Sequence, residues 1–268
     1  MIRIAFLGAG RMASAMVKGL LRKKMAHPDE LACSSAKDGT GQALADSTGI
    51  HYIQDCQELI SNAEALVLAC KPQQLQSIDP VIKEASADRL VVSILAGIRL
   101  SRLCLICPQA RNIVRAMPNT PGQIGAGVSA FAVKEALSGK DNDLVESILG
   151  SLGEIVALPE EQLDAVTGLS GSGPAYVFEF IAALRDGGIS AGLDAAVAYR
   201  LAVQTVLGSV RLLVAEDKSP EALRDVVTSP GGTTFEGLRV MENKGFRKTM
   251  VDAILRAKQR SVELSQEP

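Results

Sequence analysis

The first thirteen residues limit the fold of this chain more tightly than any other stretch. Ile2–Leu7 is a short apolar run with β-branched residues, which predicts a strand, and Gly8-Ala-Gly10-Arg-Met-Ala13 follows it directly. Strand, GxGxxA and helix stand in the order that a dinucleotide-binding site needs. Gly8 permits the tight turn, Gly10 leaves room beside a pyrophosphate, and Ala13 lets the helix pack closely on the strand.

The helix that opens within this motif is predicted to run to about Lys24. Its first N–H groups, around Arg11 and Met12, are the expected donors to the pyrophosphate, because a helix N-terminus attracts anions. The motif therefore indicates a Rossmann-type unit. An ordinary glycine-rich turn between a strand and a helix is the alternative.

The end of the second predicted strand, Leu31–Ser34, bears on the choice of cofactor. An NAD site usually has an acidic residue there, which binds the ribose 2′-hydroxyl. This strand ends instead in Ser34 and Ser35, and Lys37 follows. Two hydroxyls and a cation suit a 2′-phosphate, so NADPH is favoured over NADH. The alternative is that Asp38 reaches the ribose and that Lys37 is an ordinary surface lysine.

Strands continue to alternate with helical segments, which predicts an α/β fold with a parallel, doubly wound sheet. The further predicted strands are His51–Ile53, Ala65–Ala69, Val91–Leu95, Asn112–Ala116, Gly125–Val133 and Glu154–Ala157. Ligands of such sheets bind at the carboxyl ends of the strands. The candidates for cofactor contact at these ends are Ala69, Lys71, Pro72, Ala96, Gly97, Pro118 and Asn119.

Three of these strand ends differ in what they offer a cofactor. Lys71 would reach a phosphate or ribose, unless it is a plain surface lysine. The small pair Ala96-Gly97 would lie against the nicotinamide. Pro118 and Pro121 hold the segment around Asn119 stiff and irregular, as the floor of a nicotinamide site requires.

The pattern changes near residue 160, after which the periodicity is essentially helical. We therefore expect a dinucleotide-binding domain over residues 1–160 and a helical domain over residues 161–268. The segment Ala195–Ala215 is apolar on almost every face, and a helix of that kind must be buried on every face. Because the second domain is small, a partner subunit is expected to cover it, in a homodimer or a multiple of dimers.

The stretch Val227–Thr234 looks like a seat for a small anion. Pro230 precedes Gly231 and Gly232, two threonines follow, and a helical pattern then resumes. Glycine lets a backbone approach a ligand closely, and the helix start carries unpaired N–H donors. The alternative is a turn between two helices, with Ser229 or Thr233 as an N-cap.

Charge and cysteine content exclude several classes of protein. The net charge of −2 gives no reason to expect nucleic acid or an anionic membrane as a partner. The longest uncharged run, Ala116–Val133, is broken by prolines and glycines and is not a spanning helix. Five cysteines, an odd number, suit a reducing compartment, so we expect a cytoplasmic protein. The pair Cys104 and Cys107 has no second pair or histidine cluster beside it, and no metal site is expected.

The second half of the chain also limits the chemistry, since residues 160–268 contain neither histidine nor cysteine. Oxidation of an alcohol normally needs a base such as histidine or lysine. An imine that enters as an iminium needs little beyond orientation and hydride delivery, so the inventory favours C=N reduction. A β-hydroxyacid dehydrogenase is disfavoured because no lysine follows the Gly171–Gly173 break until Lys218. A non-catalytic NADPH sensor is a third alternative.

Taken together, these stretches resemble the pyrroline-5-carboxylate reductases over almost the whole chain. The motifs that carry the resemblance are Gly8–Ala13, Lys71–Gln73, Ala96–Ile98, Arg115–Pro121, Leu169–Tyr176 and, above all, Val227–Thr234. The resemblance implies reduction of 1-pyrroline-5-carboxylate to L-proline with NADPH or NADH, the last step of proline biosynthesis. It also implies a Rossmann domain, a helical dimerisation domain, and a site completed across subunits.

The resemblance assigns roles to individual residues as well. Ser229 and the N–H groups from Gly232 to Thr234 would hold the substrate carboxylate, and Thr234 would be the catalytic residue, with its hydroxyl near the imine nitrogen. Thr233 stands where an alanine is common in relatives, and its extra hydroxyl should be tolerated. Asn119, with Lys71 and Pro118, would line the nicotinamide side. The implied substrate-binding set is Ser229, Gly231, Gly232, Thr233 and Thr234.

Overall fold

The computed structural model describes residues 2–266, apart from the side chains at positions 72, 73 and 76–79. Within these residues, eight strands form one sheet: β1 Ile2–Leu7, β2 Leu31–Ser34, β3 His51–Tyr52, β4 Ala63–Leu68, β5 Leu90–Ser93, β6 Asn112–Met117, β7 Gly127–Val133 and β8 Gly153–Ala157. Their order is β3-β2-β1-β4-β5-β6-β7-β8. The chain thus winds outward in one direction from β1 and in the other from β4, which confirms the Rossmann-type doubly wound sheet.

The sheet has a hydrophobic core on each face. Ile4 and Phe6 of β1 contribute to one core, and Ala5 and Leu7 contribute to the other. All four side chains are buried because parallel strands in such sheets are covered by helices on both faces. These helices are α1 Arg11–Arg22, α2 Thr40–Thr48, α3 Cys56–Ser61, α4 Pro72–Ala85, α5 Leu100–Ile106 and α6 Gly139–Gly150.

The sheet is not entirely parallel, and the sequence-based expectation was wrong on this point. β7 runs antiparallel to β6, with Met117 opposite Ala130. The link between the two strands contains only a 3-10 turn, Thr120–Ile124. Such a link is too short for the helical crossover that a parallel neighbour needs, so the chain turns back on itself.

Six further helices follow β8: α7 Leu163–Val166, α8 Gly173–Ser190, α9 Ala195–Glu216, α10 Pro220–Val226, α11 Thr233–Asn243 and α12 Phe246–Gln266. The chain divides into two compact units, one formed by Met1–Gly171 with Arg256–Pro268 and the other by Ser172–Leu255. The last part of α12 therefore belongs to the same unit as the sheet.

The small-residue segment after α7 interrupts the α-helices, as the sequence predicted. Thr167–Gly171 forms one π-helical turn, and α8 follows almost immediately. The Thr167 hydroxyl donates to the Leu163 carbonyl at 3.0 Å, and the Ser170 hydroxyl donates to the Val166 carbonyl at 3.3 Å. The hydroxyls thus fold back on the preceding turn, as such side chains often do within helices.

In the second unit, α8 and α9 pack through small residues. A Cβ at Gly188 would lie 3.2 Å from the Cβ of Ala198, and Ala198 and Ala202 are the buried residues of α9. By length and composition α9 is also apolar enough to cross a membrane. Most of its large apolar side chains are solvent-exposed in the single chain: Val197, Tyr199, Leu201, Leu207, Val210, Leu212 and Val214.

Candidate functional site: a dinucleotide cradle and an uncapped helix start

The glycine turn after β1 is held at the carboxyl ends of three neighbouring strands. Gly8 has a φ of +115°, and its N–H donates to the Ser34 carbonyl at 2.8 Å. A Cβ at this position would lie 2.5 Å from the carbonyl carbon and oxygen of Ala69. Glycine is required here on both counts, since other residues are strained at this φ and the space is already filled.

The N-terminus of α1 is open to a ligand. Its N-cap is Gly10, which provides no side-chain cap, and the first helical hydrogen bond runs from Ser14 N–H to the Gly10 carbonyl at 2.9 Å. The N–H groups of Arg11, Met12 and Ala13 precede that bond and are the donors that a helix start leaves to an anion. A Cβ at Gly10 would meet nothing within 4 Å, so there is space beside the backbone.

A groove of about 590 Å³ starts at this turn and runs between α1 and α2. Its polar lining includes Arg11, Lys18, Thr40 and Ser47. Its other lining residues are Ala9, Gly10, Ser14, Ala15, Ala43, Leu44 and Gln123. The groove therefore begins at the Gly8–Ala13 turn, where the pyrophosphate is predicted to bind. The candidate nicotinamide contacts are not among its lining residues.

The residues at the end of β2 and just after it differ in whether their side chains can reach a ligand. Ser34 is 1% exposed, and its hydroxyl donates inward to the Gln54 carbonyl at 3.2 Å. The hydroxyl of Ser35 accepts from the Gly41 N–H at 2.9 Å, and Lys37 is exposed. The predicted hydroxyl contact from Ser34 is therefore not available in this conformation. The Ser35 hydroxyl also donates to a carbonyl, that of Ala36 at 2.9 Å, so Lys37 remains the candidate for a phosphate contact.

Asp38 lies beside Lys37 and brings the opposite charge to the same loop. Its carboxylate accepts hydrogen bonds from the Thr40 hydroxyl at 2.7 Å and from the Thr40 N–H at 3.0 Å. These two hydrogen bonds lower the pKa of Asp38, so the side chain is ionised at neutral pH. The loop thus presents one cation and one anion at the predicted ribose position.

The segment directly after β4 contains Ala69 and Lys71. The Ala69 N–H donates to the Leu7 carbonyl at 2.9 Å, which fixes this segment beside β1. Lys71 is exposed and precedes α4, and its backbone N–H donates to the Gln74 side chain at 3.0 Å. Pro72 is the first residue of α4, and its side chain lies outside the described residues.

The turn after β5 contains Ala96, which is exposed, and Gly97, which has a φ of +78°. A Cβ at Gly97 would lie 3.4 Å from the carbonyl oxygen of Leu264, in the last turn of α12. The C-terminal helix therefore backs this turn. Sequence reasoning missed that contact because it joins distant parts of the chain.

The segment directly after β6 contains Pro118, which is buried, and Asn119, which is partly buried. The side-chain oxygen of Asn119 accepts from the Val128 N–H at 3.0 Å. Asn119 therefore ties the end of β6 to the start of β7, in addition to any contact with a ligand.

In the second unit, the predicted anion loop has the geometry of an uncapped helix start. Gly231 has a φ of +70°, and the Gly232 N–H donates to the Ser229 carbonyl at 3.0 Å. Gly232 is the N-cap of α11, with no side-chain cap. Neither Ser229 nor Thr233 occupies the N-cap position, so the alternative of a simple side-chain cap is wrong.

The donors left by this loop are now defined. The first helical bond runs from the Glu236 N–H to the Gly232 carbonyl at 3.1 Å, which leaves the N–H groups of Thr233, Thr234 and Phe235 ahead of it. The Gly232 N–H, predicted to face a carboxylate, is already used within the turn. The exposed hydroxyls of Thr233 and Thr234 lie in the first turn of α11, and Ser229 lies in the loop before it.

Titratable groups elsewhere add little to the site. Among the described residues, no group of three His, Cys, Asp or Glu side chains is arranged to hold a metal ion. All five cysteines lie in the described part of the chain, and none of them forms a disulfide. Burial raises the pKa of Cys33 to about 11, so this thiol is not a reactive group at neutral pH.

Sequence reasoning also gave no role to a set of buried charges beside the turns after β5 and β6. Arg115 is 5% exposed and Asp164 is 4% exposed, and their side chains form an ion pair at 3.6 Å. The sequence carries one signal for them, a single charged residue within the apolar strand β6. Its partner could not be identified without the fold.

The comparisons with known proteins agree with this architecture. Residues 160–264 match the family model for pyrroline-5-carboxylate reductase dimerisation, and residues 3–97 match that for the F420-dependent NADP oxidoreductases. The pyrroline-5-carboxylate reductases of Synechocystis sp. and Escherichia coli are 40% and 35% identical to this chain, over 98% of this chain and 98% of each relative.

Two solved structures extend the agreement to three dimensions. The pyrroline-5-carboxylate reductase of Coxiella burnetii has a TM-score of 0.89 and 32% identity over 99% of both chains. The Plasmodium falciparum enzyme with NADP bound has a TM-score of 0.86 and 30% identity, over 99% of this chain and 98% of its own. The resemblance seen in the sequence is confirmed, and the chain belongs to the pyrroline-5-carboxylate reductase family.

Proposed function

We propose that this chain reduces the C=N bond of 1-pyrroline-5-carboxylate to L-proline, the last step of proline biosynthesis, with NAD(P)H as the hydride donor. The observation that carries the proposal is the uncapped start of α11, where free N–H groups and hydroxyls are concentrated after Gly231 and Gly232. It stands in a chain that is 40% identical over its length to a pyrroline-5-carboxylate reductase.

The substrate carboxylate is bound at this helix start. The N–H groups of Thr233 and Thr234 donate to it, the Ser229 hydroxyl adds a third donor, and the helix dipole favours its charge. Gly231 and Gly232 shape the turn, because the φ of +70° at Gly231 is readily adopted by glycine. Gly232 contributes to the shape of the turn, whereas its N–H is not available to the carboxylate because it donates to the Ser229 carbonyl.

The imine nitrogen is oriented by the hydroxyl of Thr234, which is the proposed catalytic residue. Residues 160–268 offer no histidine or cysteine as a general acid or base, so the substrate enters as the protonated iminium. NAD(P)H, when bound, supplies the hydride to the imine carbon. The chain's own part is to hold the ring carboxylate and the imine nitrogen in a fixed orientation, which is a large share of such a rate enhancement.

The cofactor is bound along the strand ends. The turn Gly8–Ala13 holds the pyrophosphate, and the residues proposed for the remaining contacts are Ser35, Lys37, Ala69, Lys71, Pro72, Ala96, Gly97, Pro118 and Asn119. The cation of Lys37 favours NADPH over NADH. Asp38 opposes this preference, because its charge repels a 2′-phosphate.

The chain works as a homodimer or a multiple of dimers in the cytoplasm, with residues 1–160 as the dinucleotide-binding domain and residues 161–268 as the dimerisation and substrate domain. The match of residues 160–264 to the dimerisation family supports this division. The exposed apolar side chains of α9 support a helical interface between subunits.

Initial rates with 1-pyrroline-5-carboxylate and either NADPH or NADH test the proposal directly. We expect oxidation of the cofactor with this five-membered imino acid, and no reduction of NADP⁺ when β-hydroxyacids are supplied instead. Turnover of hydroxyacids alone would refute the assignment. Tight binding of NADPH without turnover of any cyclic imine would instead indicate a sensor.

A further inference from the structure

A polar cluster with a buried centre joins the C-terminal helix to the sheet. We name it the Asp164 cluster, and its members are Arg99, Arg115, Glu160, Asp164, Ser261 and Ser265. All six residues lie in the unit that contains the sheet. They come from four segments that are distant in sequence: the start of α5, strand β6, the region of α7, and α12.

Asp164 is the centre of the cluster. One of its oxygens accepts from the Ser261 hydroxyl at 2.8 Å and lies 3.6 Å from an Arg115 nitrogen. The other oxygen accepts from the Arg99 guanidinium at 3.2 Å. A buried carboxylate with partners on both oxygens is costly to disturb, because removing a partner leaves an uncompensated charge.

Arg115 extends the cluster to the start of α5. Its guanidinium lies 2.9 Å from Glu160, and the same Glu160 oxygen accepts from the Leu100 N–H at 2.7 Å. Arg99 also donates to the Ser265 hydroxyl at 3.0 Å. The segment just after Gly97 is therefore bonded both to Glu160 and to Ser265 of α12.

Both segments predicted to lie beside the nicotinamide are attached to this cluster. Arg99 follows the Ala96-Gly97 turn by two positions, and Leu264 packs on Gly97 from α12. Arg115 lies in β6, three positions before Pro118. A shift of the Asp164 cluster would therefore displace both segments together.

From this arrangement we infer that Asp164 is a positioning residue for the nicotinamide half of the cofactor. Its bonds to Ser261, Arg99 and Arg115 set the placement of the turns after β5 and β6. The inference rests on the proposed function. It assigns Asp164 no contact with substrate or cofactor, and it predicts that the adenosine half of the cofactor is bound independently of the cluster.

The test compares Asp164→Asn with a matched control, Asp141→Asn. Asp141 is 2% exposed and bonds Arg111 with an Nη2–Oδ1 distance of 2.7 Å, so its burial and pairing resemble those of Asp164. Arg111, however, precedes β6, at the end of the strand opposite Asn119. The control therefore loses a buried charge away from the proposed nicotinamide site.

Each variant is examined by thermal unfolding, by titration with NADPH and with 2′-phospho-ADP-ribose, and by steady-state kinetics. The second ligand lacks the nicotinamide. For Asp164→Asn we expect a loss of about tenfold in NADPH affinity and in kcat, given the sensitivity of such sites to small displacements. Its affinity for 2′-phospho-ADP-ribose should stay within about twofold of the parent value. Asp141→Asn should lower only the unfolding temperature.

Two results would overturn the inference: equal losses for both ligands, or an Asp164→Asn protein that differs from the parent only in stability. If Asp164→Asn does not fold, Ser261→Ala answers the question, because it removes one hydrogen bond and leaves the arginine pairs. It should weaken NADPH binding selectively, and unaltered binding would count against the inference. A parent protein that binds NADPH but does not reduce the imine would refute the proposed function alone, since the two titrations still decide the role of Asp164.

Discussion

Replacement of Thr234 by alanine isolates the proposed catalytic hydroxyl from the stability of the fold. Thr234 is exposed in the first turn of α11, and its hydroxyl makes no hydrogen bond to the described part of the protein. Alanine has a higher helix propensity than threonine by roughly 0.5 kcal/mol. We therefore expect Thr234→Ala to unfold at the same temperature as the parent or slightly above it.

The expected loss is in the rate. A hydrogen bond that this hydroxyl accepts from the iminium N–H, or donates to the developing amine nitrogen, is worth about 1–3 kcal/mol of transition-state stabilisation. That range corresponds to a decrease of about 5–150-fold in kcat/KM for 1-pyrroline-5-carboxylate. The affinity for NADPH should be unchanged, because the cofactor contacts proposed here lie in other segments.

The neighbouring Thr233 provides the matched control. Thr233→Ala removes the same hydroxyl one position earlier, at the first residue of α11, and leaves the backbone N–H in place. Steady-state kinetics and NADPH titration should show a near-parental rate for this variant and a reduced rate for Thr234→Ala. Equal rates in the two variants would remove the Thr234 hydroxyl from the mechanism.

Three further substitutions test the Gly8 turn, the preference for NADPH over NADH, and the proposed subunit interface on α9. Gly8→Ala places a Cβ 2.5 Å from the Ala69 backbone at a φ of +115°, so we expect the free energy of unfolding to fall by about 2–6 kcal/mol. Chemical denaturation and NADPH titration measure the effect, and NADPH binding equal to that of the parent would contradict the proposed role of the turn. Lys37→Ala should weaken NADPH binding by about fivefold and leave NADH binding unchanged, because an exposed charge pair is worth roughly 1 kcal/mol. An equal effect on both cofactors would exclude Lys37 as a contact of the 2′-phosphate. Val210→Asp puts a charge on the exposed apolar surface of α9 and should shift the protein toward monomer in sedimentation. Glu216→Gln is the control and should leave association intact. A parent protein that is monomeric at all concentrations would refute the proposed interface.

The elements that the sequence predicted best are those fixed by local requirements. β1 and β2 have the predicted bounds, and the predicted turn at Gly8 has a positive φ and no room for a Cβ. Apolar periodicity and the conformational freedom of glycine are properties of neighbouring residues, so they can be seen in the sequence alone.

The errors came from features that depend on the rest of the fold. The direction of β7 follows from the short link after β6, and the side chain of Ser34 is fixed by a carbonyl at Gln54 on the neighbouring segment. In each case the composition was read correctly, and the outcome was decided by geometry that the composition does not contain.

The Asp164 cluster shows why a motif cannot define a site of this kind by itself. Asp164 and Ser261 are 97 positions apart, and Arg99 and Ser265 are 166 positions apart, yet these pairs bond at 2.8 and 3.0 Å. The motifs supply the groups that would touch the cofactor, whereas the distance between the turns after β5 and β6 depends on such long-range pairs. Two chains with the same motifs would therefore differ in nicotinamide placement if one of them lost the carboxylate at position 164, and the comparison of NADPH with 2′-phospho-ADP-ribose is the measurement that separates the two effects.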